Sequence, residues 1–185
     1  MLSKFFILIG PSGVGKSTLM QQLINEGFPI MQLVTYTTRP KRSYEVDKKD
    51  YCFLTIEEFT QKMEQNEVLF PEKVYNNFYG PPKKLIETNL KNSQPIIAAI
   101  SYDIAQKIQQ LYGKEKVVTI YICPPSVKEL LSRLQMRNTE NKEMIEKRIT
   151  QAEEELKKQD LCDHKIINDK LDQAFVELKN ICGFF

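Results

Sequence analysis

The sequence predicts a three-layer α/β fold, a mainly parallel sheet with helices packed on both faces. Three observations predict it. Apolar runs at 5–9, 94–100 and 116–122 read as buried strands, and segments of helical spacing follow them. The first run passes straight into Gly10-Pro11-Ser12-Gly13-Val14-Gly15-Lys16-Ser17, which fits G-x-x-x-x-G-K-[ST] at every fixed position. The strand–helix alternation lapses between residues 35 and 81, where an inserted subdomain is expected within a single domain.

The glycine-rich stretch carries the most chemistry. After it, Leu19, Met20, Leu23 and Ile24 repeat at helical spacing. Strand, loop and helix in that order turn backbone N–H groups and a helix N-terminus toward a phosphate chain. Lys16 would reach the outer phosphates and the Ser17 hydroxyl would ligate Mg²⁺. An ordinary glycine-rich turn needs neither residue, so the reading is a nucleotide-phosphate site.

Composition agrees. The 185 residues suit one domain with a sizeable core. Twenty-six basic and 24 acidic residues are mixed along the chain for a net charge of +2, which argues against a nucleic-acid or membrane surface. Cys52, Cys123, Cys162 and Cys182 lie far apart beside a single His, so reduced core cysteines of a cytoplasmic protein are expected, not zinc or disulfides. The apolar start is too short for a signal peptide and reads as strand one, and no stretch approaches membrane-spanning length.

In chain order, the first helix is expected to close near Glu26, with Gly27 just beyond it. Residues 30–34 read as a second strand, leading into a polar, basic loop in which Pro40 forbids regular structure. Residues 50–53 are a short extended piece. Thr55-Ile56-Glu57-Glu58 is a capping box that starts a helix running to about Gln65. Residues 68–79 read as strand-rich, and Pro81-Pro82 opens a helix to about Lys91. After the central strand at 94–100, residues 103–111 are helical and 116–122 form another buried strand. Ser126-Val127-Lys128-Glu129 is a second capping box, and its helix carries Leu130, Leu131 and Leu134. A turn at 137–142, a long charged helix at 143–158, a strand at 164–167 and an amphipathic helix at 171–181 complete the chain.

Further motifs follow the phosphate loop: Thr37-Thr38-Arg39-Pro40-Lys41-Arg42, Glu45-Val46, Asp50-Tyr51-Cys52-Phe53 and Phe78-Tyr79-Gly80. Beyond them come the stretch 124–140, Lys147-Arg148-Ile149, and His164-Lys165-Ile166-Ile167-Asn168-Asp169. In this combination the chain resembles the guanylate kinases, within the P-loop nucleoside-monophosphate kinases, nearly end to end. The resemblance implies a P-loop NTPase fold with a core of residues 1–34, 82–134 and 159–185, an acceptor-binding insert at 35–81 and a helical lid at 135–158. It implies phosphoryl transfer from ATP, as the Mg²⁺ complex, to a small acceptor that already bears a phosphate. GMP is the first choice of acceptor.

The resemblance also carries over roles. Ser12, Gly13, Val14, Gly15, Lys16, Ser17 and Thr18 match the ATP-phosphate loop, with Ser17 on the metal. Asn168 and Asp169 match a segment near the adenine, although a strand-to-helix turn would use the same residues. Arg39, Arg42, Tyr51 and Tyr79 match the holders of the acceptor's phosphate, and two guanidinium forks with two phenols suit a dianion. Arg133, Arg137 and Arg148 match lid residues that close over the transferring group, although helix-surface ion pairs with Glu129, Glu140 or Glu143 are the alternative, a serious one for Arg133 and a weaker one for Arg137 and Arg148. Lys16, Arg39, Arg137 and Arg148 make up the expected catalytic set.

The base-reading half departs from the family. Its guanine-reading Glu aligns with Phe70, a guanine-touching Ser with Pro81, and another Ser of that pocket with Thr35. Two acidic residues at the end of the central strand align with Ala99 and Ser101. Glu72 could supply a shifted carboxylate, but a solvent-facing charge is the expectation; Asp103 could stand in near the metal. Weak preference for GMP is therefore expected. Two other readings stay open. Ribose 1,5-bisphosphate phosphokinases are somewhat similar at Tyr36-Thr37-Thr38-Arg39 and Ala99-Ile100-Ser101. Non-catalytic guanylate-kinase-like binding modules share the fold, but commonly with a damaged phosphate loop.

Overall fold

A computed structural model describes residues 4–74, 76–136 and 154–184. Its main sheet contains β1 (Phe5–Ile9), β2 (Met31–Gln32), β7 (Ile96–Ala99), β8 (Val117–Cys123) and β9 (His164–Ile167), in the order β2-β7-β1-β8-β9. Every pairing in it is parallel, with Phe5 opposite Ile96 on one side and Val117 on the other. Parallel strands need crossovers, and the helices that supply them cover both faces.

The alternating side chains of β1 divide the core. Phe6 and Leu8 join Leu19, Met20 and Leu23 of α1 (Lys16–Asn25), Leu130 of α5 (Val127–Met136), and Ala174, Phe175 and Leu178 of α6 (Leu171–Ile181). Phe5, Ile7 and Ile9 join Ile86 of α3 (Lys83–Lys91) and Ile104, Ala105 and Ile108 of α4 (Tyr102–Tyr112). This is the three-layer arrangement expected from the apolar runs. The four cysteines are free, and burial pushes the Cys162 and Cys182 thiols up to about 11 and about 12.

A second sheet, ordered β4-β3-β6-β5, is built from β3 (Tyr36–Thr37), β4 (Cys52–Phe53), β5 (Glu72–Val74) and β6 (Asn77–Gly80). β3 and β4 are parallel, while β6 runs antiparallel to both β3 and β5. One face is covered by α2 (Ile56–Glu64), whose Phe59 stacks on Phe78 at 5.5 Å and whose Lys62 lies over the Tyr36 ring at 5.2 Å.

Several local expectations hold. The Thr55 hydroxyl accepts from the Glu58 N–H at 3.1 Å, and the Glu58 carboxylate accepts from the Thr55 N–H at 2.8 Å. Ser126 likewise accepts from the Glu129 N–H, but the Glu129 carboxylate pairs with Arg133. The second strand is shorter than expected. Only Met31 and Gln32 pair with β7, because the chain then leaves the main sheet and the Thr35 carbonyl accepts from Cys52 N–H in the second one. The expected turn at 137–142 and most of the helix at 143–158 lie outside the described residues; 154–156 are helical.

A small polar lock positions β9. Asp163 Oδ2 accepts from the Thr119 N–H at 2.8 Å, the Thr119 hydroxyl at 2.7 Å and the Gln109 amide at 2.7 Å. Burial alone would raise its carboxyl, but these donors outweigh it and hold the pKa below the ordinary value. The lock sets the strand that delivers Asn168.

Candidate active site

The phosphate loop joins the C-terminal end of β1 to the first turn of α1, where N–H groups without helical partners point outward. Lys16 Nζ folds back onto its own loop, donating to the Gly10 carbonyl and, at 2.9 Å, to that of Pro11. A nucleotide phosphate offers the ammonium a charged partner in place of these neutral ones. Ser17 and Thr18 are exposed at the helix start. No cluster of three or more His, Cys, Asp or Glu suited to a metal exists among the described residues. The Ser17 hydroxyl is an exposed oxygen donor of the kind a hard cation held mostly by phosphate oxygens and water could accept as a ligand.

Asn168 supports this loop from behind. It is 5% exposed, and its side-chain amide donates to the Val14 carbonyl at 2.7 Å while its own N–H donates to the Cys123 carbonyl. Gly15 has φ 99°, and a Cβ there would collide with the Asn168 amide, so both conformation and space demand glycine. Arg133 donates from Nη1 to the Asn168 carbonyl at 3.0 Å and from Nε to Glu129 at 3.1 Å. The expected Glu129 pair is thus present, together with a contact to the segment matched to the adenine site. Asp169 is exposed. Arg137 and Arg148 lie outside the described residues.

The second cluster lies on the smaller sheet. Arg39 forms a bidentate pair with Glu45, Nη1 to Oε2 at 3.0 Å and Nη2 to Oε1 at 2.7 Å, and also donates to the Pro40 carbonyl. Three of its five N–H donors are so engaged, leaving Nε–H and one Nη2–H, a second fork of phosphate-binding shape. Burial works against the Arg39 charge, but Glu45 outweighs it and holds the pKa above its ordinary value. Glu45 itself, 6% exposed, is held below the usual carboxylate value despite burial, by Arg39 and the Arg42 backbone N–H. Arg42 Nη1 lies 3.6 Å from its Oε1.

The Arg39 guanidinium rests over the Tyr51 and Phe53 rings at 5.5 and 5.6 Å. Tyr51 and Tyr79 meet edge to face at 6.3 Å, and burial, then Tyr79, raises the Tyr51 phenol so that it stays a donor at neutral pH. Arg39, Arg42, Tyr51 and Tyr79 are thus brought together. The sequence reading assigned Glu45 no role; its signal was an acid three residues from Arg42 and six from Arg39 in a basic loop.

At the end aligned with base recognition, Phe70 is half-buried with φ 46°, a left-handed backbone uncommon for a bulky side chain. It packs against the core that includes Ile7, Ile9 and Leu33. Pro81 is buried, its carbonyl accepting from Leu69 N–H at 2.9 Å; Thr35 is 8% exposed. Ser101 caps α4, accepting from the Ile104 N–H at 3.4 Å, next to Ala99 at the end of β7. Asp103, which the sequence suggests as a stand-in near the metal, is exposed and has both its oxygens 3.1 Å from Lys158 Nζ. Glu72 is half-buried and lies opposite Tyr79 in the pairing of β5 with β6.

The chain is similar to known proteins over nearly its whole length. The family model for guanylate kinase matches residues 2–183. The guanylate kinase of Wolbachia sp. subsp. Brugia malayi (strain TRS) is 37% identical over 175 residues, covering 95% of this chain and 89% of its own. That of Malacoplasma penetrans (strain HF-2) is 37% identical over 179 residues, covering 96% and 91%. The crystal structure of guanylate kinase from Anaplasma phagocytophilum superposes with a TM-score of 0.81 at 29% identity, covering 97% of this chain and 84% of that one.

Proposed function

The chain belongs to the guanylate kinase family and is an ATP-dependent kinase, and from that premise we propose that it phosphorylates GMP to GDP with the residues assembled above. The observation that carries the residue assignment is an intact phosphate loop in the same chain as a preassembled Arg39–Glu45 pair with Tyr51 and Tyr79 beside it. An oxygen of the acceptor phosphate attacks the γ-phosphorus of ATP, the bond to the β–γ bridging oxygen breaks, and ADP leaves. No covalent enzyme intermediate is needed. Lys16 and the loop N–H groups hold the donor phosphates, the remaining Arg39 fork with Arg42 and the two phenols holds the acceptor, and Arg137 and Arg148 close over the transferring group. Ser17 would be the protein ligand of an Mg²⁺ ion bound with ATP, which would supply charge neutralisation on the phosphates. Catalysis of this kind is positioning and charge stabilisation.

The relatives favour neither a sugar-phosphate kinase nor a non-catalytic module, and the intact Gly15-Lys16-Ser17 speaks against the latter. The test is the formation of ADP and GDP from ATP and GMP, with guanosine as the control acceptor. GMP should react and guanosine should not, since the clamp requires a phosphate monoester. Lys16→Ala should abolish turnover while leaving the fold intact, because it removes a cation and its two bonds to loop carbonyls but no core contact. Near-normal turnover in that variant would remove the assignment of the loop.

A further inference from the structure

Guanine presents two donors side by side, N1–H and the 2-amino group, and a carboxylate accepts both at once. We propose that Glu72 is the carboxylate that selects the acceptor's base, an inference that rests on GMP being the acceptor. Strand register places it. Glu72 and Thr37 both lie opposite Tyr79, and Phe53 lies opposite Thr37. Directly paired residues project to the same face, so Phe53, Thr37, Tyr79 and Glu72 form one row across the smaller sheet. That is the face on which Arg39 covers Tyr51 and Phe53. The opposite face is taken by α2, where Phe59 meets Phe78 and Lys62 meets Tyr36. Glu72 therefore stands one strand beyond a phenol of the phosphate clamp, about 4.8 Å farther along the sheet.

Its surroundings leave it poised for a ligand. Glu72 is half-buried, and its carboxylate makes no hydrogen bond or ion pair among the described residues. Phe70 has no side-chain acceptor, and the carbonyls of Pro81 and Thr35 are occupied by the N–H groups of Leu69 and Cys52. The backbone around it is fixed. Val68 bridges Pro82, Leu69 and Lys83 N–H groups bond across to Pro81 and Glu67, and a Cβ at Gly80 would collide with Val68. A reader held in this way is oriented before the base arrives, which favours discrimination.

The experiment compares the unmodified protein with Glu72→Gln, measuring kcat/KM for GMP, IMP and AMP, and GMP binding by calorimetry without ATP. IMP keeps N1–H but lacks the 2-amino group. The expected result is a roughly ten- to hundred-fold fall in GMP binding and kcat/KM, a GMP-to-IMP ratio that collapses toward one, and AMP turnover and KM for ATP changed by less than about two-fold. An unchanged GMP-to-IMP ratio overturns the proposal, as does an equal loss with all three acceptors, which would mark Glu72 as structural. If the unmodified protein binds GMP without phosphorylating it, the kinase reading fails while the Glu72 comparison is still read by calorimetry. Failure to bind GMP at all overturns both.

Discussion

Glu45 shows how one acid can set two cations. Its side chain is 5% exposed and its oxygens are shared between the Arg39 fork, the Arg42 backbone N–H and the Arg42 guanidinium. Replacement by Ala would leave the Arg39 charge enclosed without its partner, a change of about 3–5 kcal/mol for a buried pair. Glu45→Gln is the gentler test, because it keeps the shape while removing the charge and one of the two acceptor oxygens. We expect the KM for GMP to rise about tenfold while the KM for ATP stays within about twofold, since the donor loop does not touch this pair. Equal effects on both substrates would show that Glu45 supports the fold and not the clamp.

At the level of elements, β9 and α5 act on the phosphate loop through one side chain. Asn168 sits at the end of β9, donates to Val14, crowds Gly15 and receives Arg133 from α5 on its carbonyl. Asn168→Ala leaves the buried Val14 carbonyl without this donor, at a cost of about 1–3 kcal/mol. Thermal denaturation should show that loss, and ATP titration should show weakened donor binding with GMP binding intact. Unaltered ATP affinity would mean that the loop holds its shape without the strut. Arg133→Ala removes only the outer contact and should weaken ATP binding less.

For the whole molecule, acid stability reads out the same polar contacts. Glu45 and Asp163 both have folded pKa values below their ordinary 4.5 and 3.8. Groups lowered in this way stabilise the fold fully above those ordinary values, and the contribution is lost as pH falls through the lower folded values. Tm should therefore be flat above about pH 5 and fall steeply below about pH 4. Glu45→Gln should start from a lower Tm at neutral pH and fall less on acidification. A variant whose Tm ran parallel to the unmodified protein's from pH 7 to pH 3 would contradict the assignment. No helix among the described residues is long and apolar enough to cross a membrane.

The sequence by itself determined the layers and the glycine-rich loop, which depend on local pattern: apolar runs of strand length, a glycine spacing and a capping box at Thr55. Arg39, Arg42, Tyr51 and Tyr79 came forward as an expected clamp only through the family resemblance, since arginines beside Pro40 read locally as a solvated basic loop. What only the tertiary structure decided are matters of pairing between distant segments. Asn168 reaches Val14 across 154 residues, Asp103 meets Lys158 across 55, and the face of Glu72 follows from its register with Tyr79. A one-residue slip in that register would turn Glu72 to the α2 side, and nothing local in residues 68–79 specifies the pairing. Side-chain chemistry can be read along a chain, but which face a strand residue occupies, and which charge is already paired, follow from contacts made far away in sequence.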